Sequence, residues 1–460
     1  MTLWRRSLAE VRGLVALAVP MVAGLGAASL TVLTDALILA PLGPVALAAS
    51  ALVGAAASVA FAAIYGLLSA VSVRVGRAWG AGERRRVPGL LRSGLAVGLG
   101  AGAVGGGLMA LGLLALPWVG QPADVVAALR GYWLWVSAML VPFAVMTVFK
   151  SAFEAVDRPW LGTGFALLAL VVDVPLTWAL VWGPGPVPAL GLAGAGLAAV
   201  LGETVALGAA WAFWALAPSM RRLRARGPRA GGEAVATARE GLPLGAMYVL
   251  EGGSIAVATL LIGLFGTVAL AGSQLVQSVG GVLNMLPLGV AGAVAIRAAQ
   301  AQGAGAGERL RPIALAALAL ATAWLAGATA VLTVWGREVA GLISDDAEVV
   351  ALAGTLFVVL GLMQVADGVQ SVMVGALRGL SDTAVPAGIS VLAYWGVALP
   401  GGWALARGAG LGAAGVWAGF ALALLVAGAL LTWRFWRRTA RPCAAPAPRA
   451  SLGEVREGPA

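Results

Sequence analysis

The sequence predicts an all-α integral membrane protein: twelve transmembrane helices in two pseudo-symmetric halves of six around a central cleft. Three observations carry this. Of 460 residues, 60% are hydrophobic and only 11% charged, with a mean hydropathy of +0.94, a balance that water-soluble domains of this size do not have. The basic residues are sorted to one side. The termini and the loops after even-numbered apolar segments hold all of them except Arg130, Arg337 and Arg407. The chain also repeats itself. GPVALAAS at 43–50 returns as GTVALAGS at 266–273, and SVRVGRAWGAG at 72–82 as AIRAAQAQGAG at 295–305, both 223 residues on; VPLTWALVWG at 174–183 is answered by LPGGWALARG at 399–408.

Taken in order, the apolar segments fall near 13–40, 44–71, 88–117, 125–149, 160–182, 189–217, 241–264, 267–296, 312–335, 347–375, 384–406 and 410–433. Each offers about the 20 residues that a helix needs to cross hydrocarbon. Arg5, Arg6 and Arg12 ahead of an apolar run resemble a secretory signal, but the run carries on to Asp35 and many spans follow, so no cleavage is expected. The arginine bias, with runs at 84–86, 221–229 and 434–441, places both termini and the even loops in the cytoplasm of a bacterial-type membrane. Those runs face anionic lipid rather than nucleic acid. An even number of spans separates repeat-equivalent points, so the halves insert in the same orientation, as in transporters built from parallel repeats. The expected divisions are an N-lobe at 1–218, a cytoplasmic linker at 219–238 around Pro228, a C-lobe at 239–436, and a disordered cytoplasmic tail at 437–460 that holds Cys443.

Carboxylates inside the spans are Asp35, Glu154, Asp173, Glu203, Glu251 and Asp367; on insertion scales an acid at a helix centre costs about 2.5–3.5 kcal/mol. In the stretch QVADGVQSVMVGALRGLSD at 364–382, Gln364, Asp367 and Gln370 recur every three residues and so share one side of a helix. Glu251 has Tyr248 and Ser254 one turn to either side. Helix 8 carries Gln274, Gln277, Ser278 and Asn284 at three-to-four spacing, a stripe that suits either the cleft wall or hydrogen bonds between helices. Glu251 and Asp367 have no basic residue expected in their helices to pair with, and therefore need a cation or a shared proton. Asp35 and Asp173, whose repeat counterparts are Ala258 and Ala398, make a second acidic pair expected to titrate together. Lys150–Glu154 and Arg378–Asp382, each four residues apart, read as structural ion pairs.

An ordered set of motifs through both halves, over roughly residues 8–435, resembles the multidrug and toxin extrusion (MATE) transporters, most closely their NorM-like branch. It comprises Asp35 before the Gly43-Pro44 turn, Leu242-Pro243 with Glu251, Ala271-Gly272-Ser273-Gln274, and Arg297 with Gln302-Gly303-Ala304-Gly305. It continues through Ser344-Asp345-Asp346, Asp367 with Gly375-Ala376-Leu377-Arg378-Gly379 and Asp382, and Tyr394-Trp395-Gly396 with Leu399-Pro400-Gly401. The resemblance implies a V-shaped antiporter that exports organic cations and other xenobiotics in exchange for protons or sodium by alternating access. It implies that Glu251 and Asp367 bind the coupling cation, sodium included, and that Asp35 supports coupling in the N-lobe. Two positions depart from the family: Ser273 stands where His is common, and Asp173 sits one turn before the site at which Asp-bearing members carry theirs. Four residues apart is still one helix face, so Asp173 keeps the Asp35 cavity within reach.

Other classes fare worse. A flippase for lipid-linked or polysaccharide precursors on a related fold needs cationic side chains for phosphate, and the spans offer almost none. An intramembrane enzyme has little to work with, since His is absent, Cys443 lies in the tail, Lys150 is the sole lysine and no GxxxxGK[ST] loop exists. We expect a monomer among membrane lipids, without a cofactor or a nucleic-acid partner, acting on small organic cations or drugs.

Overall fold

The computed structural model describes residues 3–119, 122–186, 188–223 and 232–440. Among these, twelve helices are long and apolar enough to cross a membrane. They are α1 (Leu3–Leu39), α2 (Pro44–Gly80), α3 (Val87–Gly112), α4 (Ala123–Ala155), α5 (Pro159–Trp182), α6 (Leu192–Leu216), α7 (Glu233–Gly263), α8 (Thr267–Gly303), α9 (Leu310–Gly341), α10 (Ala347–Gly379), α11 (Ala384–Gly408) and α12 (Gly412–Arg438). Helix α7 starts at Glu233, inside the stretch expected as linker, and α12 runs to Arg438, just into the expected tail. Residues 224–231 of the expected linker and 441–460 of the expected tail, Cys443 included, lie outside the described residues.

Local chemistry explains the repeated hairpins. The α1–α2 and α7–α8 turns pivot on Gly43 (φ +97°) and Gly266 (φ +104°), a region closed to most side chains. Pro20 in α1 and Pro243 in α7 occupy equivalent positions; the Pro20 carbonyl accepts a 2.6 Å hydrogen bond from Thr163 Oγ1 of α5. The N-lobe has its own core around Leu129, Leu140, Phe149 and Phe153. A second core lies on the seam, where Leu14, Leu17 and Met21 of α1 pack with Leu244, Val290 and Val294 of the C-lobe.

The seam runs along α1, α2, α7 and α8, and the repeat makes it two-fold: contacts occur in pairs with the partners exchanged, as at an isologous interface. A Cβ on Gly80 would collide with the Gln300 carbonyl, and one on its repeat mate Gly303 with the Arg77 carbonyl. Glu10 of α1 accepts from Arg297 at 3.2 Å and Arg309 at 2.8 Å. Glu233 of α7, 223 residues on, pairs with Arg74 and, at 2.9 Å, with Arg86, their repeat counterparts. Gln300 donates to Asp157 Oδ1 at 3.0 Å, while Arg77 donates to Ser381. Asp157 and Ser381 share a left-handed backbone, φ +62° and +58°. These contacts gather at the end of the bundle that carries both termini, where Arg311 also hydrogen-bonds Trp436 and Thr439. Among the described residues no hydrogen bond joins the lobes toward the Gly43 and Gly266 turns.

The paired Glu–Arg–Arg clasps hold partly desolvated charges, each charged hydrogen bond contributing about 1.5–3 kcal/mol. Removing both acids by Glu10→Gln with Glu233→Gln should loosen the seam. A cysteine at Ala299, fully buried against Gly76, in a chain with Cys443→Ser, should then react with a hydrophilic maleimide several-fold faster than with the clasps intact. An unchanged rate would mean that the clasps do not hold the lobes together.

Candidate functional site

Two prolines shape the polar centre of the C-lobe. In α11, Pro400 cannot donate to the carbonyl four residues earlier, and its ring crowds that group; the helix widens into a π turn at Ala393–Ala398 just ahead of it. Within that turn Tyr394 is directed at α7, and its hydroxyl donates to Glu251 Oε1 at 3.0 Å. In α8, Pro287 frees the Leu283 carbonyl, which accepts from Trp324 Nε1 of α9 at 3.0 Å. The adjacent Asn284 donates Nδ2 to Asp367 Oδ2 of α10 at 2.8 Å. Each acid therefore has a neutral donor, and neither is in an ion pair among the described residues.

Glu251 and Asp367 line one cavity of about 220 Å³ together with Tyr394, Asn284, Gln274, Gln277 and Gln364, with Ile255, Leu360 and Phe420 in its apolar wall. A second, narrow space of about 70 Å³ shares Glu251, Asn284 and Asp367, and continues toward the seam past Tyr248 and Gln370 to Arg378 and to Tyr65 of α2. Gln364 and Gln370 also brace helices: their amides donate to the Gly280 carbonyl at 2.8 Å and to Ser390 Oγ at 2.9 Å. Ser278 is exposed and gives its hydroxyl to the Gln274 carbonyl of its own helix. Ser273 accepts from Trp417 Nε1 at 3.2 Å.

Three sequence expectations need correction. Helix α10 extends to Gly379 and α7 begins at Glu233, so Asp367 and Glu251 each do have a basic residue in their helix, Arg378 and Arg239. Arg378 and Asp382 are not paired, because the helix ends before Ser381 turns the chain. Asp382 faces α12 instead, bound by both arms of Arg434 at 2.8 and 3.0 Å and by Arg438 at 3.2 Å. Nor is there a Lys150–Glu154 ion pair: Glu154 Oε1 is buried without a hydrogen-bond partner, and Lys150 extends across Gly162 toward Gly24 and Thr163, where the glycines leave room.

The N-lobe holds a separate acidic cluster. Asp35 of α1 and Asp173 of α5 are within electrostatic reach of each other and of Tyr132 on α4. Glu203 of α6 adds a third acid, within reach of Asp173 and Lys150. Thr177 lies close enough to interact with both Asp35 and Asp173, although Asp35 Oδ1, both Asp173 carboxylate oxygens and Thr177 Oγ1 are buried without a well-formed hydrogen bond. Sequence reading passed over Tyr394, Glu203 and Tyr132 as site residues. The signal for Glu203 was an acid within a span, whereas the direction of Tyr394 depends on a π turn that a 3.6-residue period does not contain.

Membrane-length helices in two repeat-related lobes, with carboxylates facing cavities inside the bundle, define a repeat-built membrane transporter as the class of protein. The chain belongs to the MatE family, whose profile it matches at residues 20–179 and 243–404, once in each half. It is 35% identical over 454 residues to a probable multidrug resistance protein NorM of Deinococcus radiodurans, covering 94% of this chain and 96% of that one. To the probable NorM of Rhizobium meliloti it is 33% identical over 431 residues, 90% of each chain. Its fold matches the eukaryotic MATE transporter AtDTX14 with a TM-score of 0.84 at 22% identity, over 95% of this chain and 99% of that one. The Vibrio cholerae MATE transporter VcmN in the bent form matches at 0.82 and 21%, over 95% and 98%.

If Asn284 serves Asp367 as its donor, Asn284→Leu should leave a buried carboxylate short of a partner and cost about 1–3 kcal/mol. Asn284→Leu combined with Asp367→Leu should recover most of that loss, because both polar groups leave together. Thermal unfolding in detergent reads both, and a double variant less stable than the single one would break the pairing.

Proposed function

We propose that this protein is a secondary active multidrug efflux antiporter of the cytoplasmic membrane, with the arginine-rich seam end and both termini in the cytoplasm. The observation that carries this is the pair Glu251 and Asp367 in one cavity, each with a neutral hydrogen-bond donor and no ion-pair partner. Such carboxylates bind cations: a proton, a sodium ion as transported cargo, or the ammonium of a drug. The neighbouring oxygens of Asn284, Gln277 and Gln364 suit a hard cation, while the apolar wall suits the body of an organic substrate.

Exchange needs only that coupling cation and substrate compete for these acids or favour opposite lobe arrangements. With the seam closed at the end bearing the termini, the C-lobe acids face the open side of the V, where substrate leaves and the cation enters. Loading the acids removes the attraction that held an organic cation. Closing the open side then requires the two clasps to part. Asp35 and Asp173 form a second protonatable site in the N-lobe, with Glu203 beside them.

In proteoliposomes, Glu251→Gln and Asp367→Asn should each abolish efflux driven by an imposed proton or sodium gradient, while expression and folding persist. Asp35→Asn should weaken efflux and Asp173→Asn should do so more mildly. Wild-type rates in either C-lobe variant would move coupling to the N-lobe, and gradient-insensitive substrate movement in the parent protein would remove antiport altogether.

A further inference from the structure

The seam and the cavities leave one strongly charged patch without a role, at the end of the C-lobe where α9 begins and α12 ends. Arg311 stands at the start of α9, and Arg434, Arg437 and Arg438 in the last turns of α12. Among the described residues their one ion-paired carboxylate is Asp382, which takes Arg434 at 2.8 Å and Arg438 at 3.2 Å. Glu308, three residues before Arg311, forms no ion pair with it among the described residues; Arg311 donates Nε to Thr439 Oγ1 and Nη2 to the Trp436 carbonyl, each at 3.0 Å. Its guanidinium lies 5.0 Å over the Trp436 ring. Arg437 lies 4.8 Å over the ring of Trp433, an indole that is 57% exposed. Spacing of three and four residues puts Trp433, Trp436 and Arg437 on one side of α12.

A guanidinium stacked on an aromatic face keeps its in-plane N–H edge for another acceptor, and that edge matches two phosphate oxygens. Indole rings settle at the depth of lipid headgroups, and basic pockets between helices at that depth bind anionic headgroups. The internal repeat does not impose the cluster: α6, the counterpart of α12, ends in WAFWAL at 211–216, aromatic but without a basic residue. Sorting the loops across the membrane needs arginines near span ends, but not stacked on the tryptophans of one exposed helix face. We propose that the α9–α12 end binds the headgroup of an anionic glycerophospholipid, its phosphate held by Arg311 and Arg437 and its acyl chains beside Trp433. Bound there, the lipid braces α9 against α12, next to the Asp382 turn that joins α10 to α11. The site goes beyond the efflux reading and uses none of its residues; only the choice of leaflet rests on the orientation given above.

Native mass spectrometry of the purified full-length protein in neutral detergent tests this, with phosphatidylglycerol and phosphatidylcholine of identical chains as the two probes. The parent should retain phosphatidylglycerol at least about tenfold better, and Arg311→Gln with Arg437→Gln should bring the two lipids within about threefold, the scale expected for two interfacial arginines. Arg85→Gln with Arg221→Gln, which removes the same charge from N-lobe loops, should leave the preference within about twofold of the parent. Thermal unfolding should follow suit, with phosphatidylglycerol raising the midpoint of the parent but not of the Arg311→Gln, Arg437→Gln protein. A parent without the preference overturns the proposal, as does an equal loss in both double variants, which would make the attraction a diffuse surface charge. Displacement of phosphatidylglycerol by inorganic phosphate at matched ionic strength would overturn the lipid as occupant. If the Arg311→Gln, Arg437→Gln protein fails to fold, Arg437→Gln alone decides, because among the described residues that side chain stacks only on Trp433.

Discussion

The structure depends on a seam that is closed at one end only. Twelve helices crowded with leucine and alanine gain little from packing against one another rather than lipid, so close backbone approach and polar contacts must set their arrangement. Here the internal repeat supplies both. Gly80 and Gly303 admit the facing carbonyl of the other lobe, and Glu10 and Glu233 each gather two arginines from across the seam. Because the paired contacts are related by the repeat, one set of residues duplicated in the sequence yields a self-complementary interface. It lies at the end where α1 begins and α12 ends, away from the Gly43 and Gly266 turns.

The acids in the cleft sit where that geometry gives them access without neutralisation. Glu251, with its Tyr394 partner, and Asp367, with Asn284, border both the wide cavity and the narrower space that leads to the seam. Under the proposed function, a ligand bound there would touch both lobes, since Tyr65 of the N-lobe contributes to the same space. The halves are less symmetric in chemistry than in shape. The intramembrane acids near the cavities lie on α7 and α10 in one lobe and on α1, α5 and α6 in the other, on helices that the repeat does not pair as a set.

Much of this was legible in the sequence because each signal had a direct physical cause. Span length, arginine placement and the 223-residue repeat gave the twelve helices and the two halves. Spacing of three residues placed Gln364, Asp367 and Gln370 on one face of α10. What remained hidden depended on departures from the regular helix. The π turn ahead of Pro400 aims Tyr394 at Glu251, and the left-handed Ser381 turns Asp382 away from Arg378 and toward Arg434. Pairs inferred from i,i+4 spacing failed at Lys150–Glu154 and Arg378–Asp382 because tertiary partners, or glycine-lined space, outcompeted the local one. The clasps could not be seen at all, since Glu10 meets Arg297 and Arg309 only after the lobes fold together.

The central claim is that opening and reclosing this seam is part of every transport cycle. Gly76 and Ala299 offer a direct test, because a Cβ built on Gly76 lies 3.6 Å from that of Ala299, within the range for a disulfide. In a chain with Cys443→Ser, Gly76→Cys and Ala299→Cys, oxidation should lock the lobes and stop gradient-driven efflux in proteoliposomes, and reduction should restore it. Undiminished efflux from fully cross-linked protein would contradict the account.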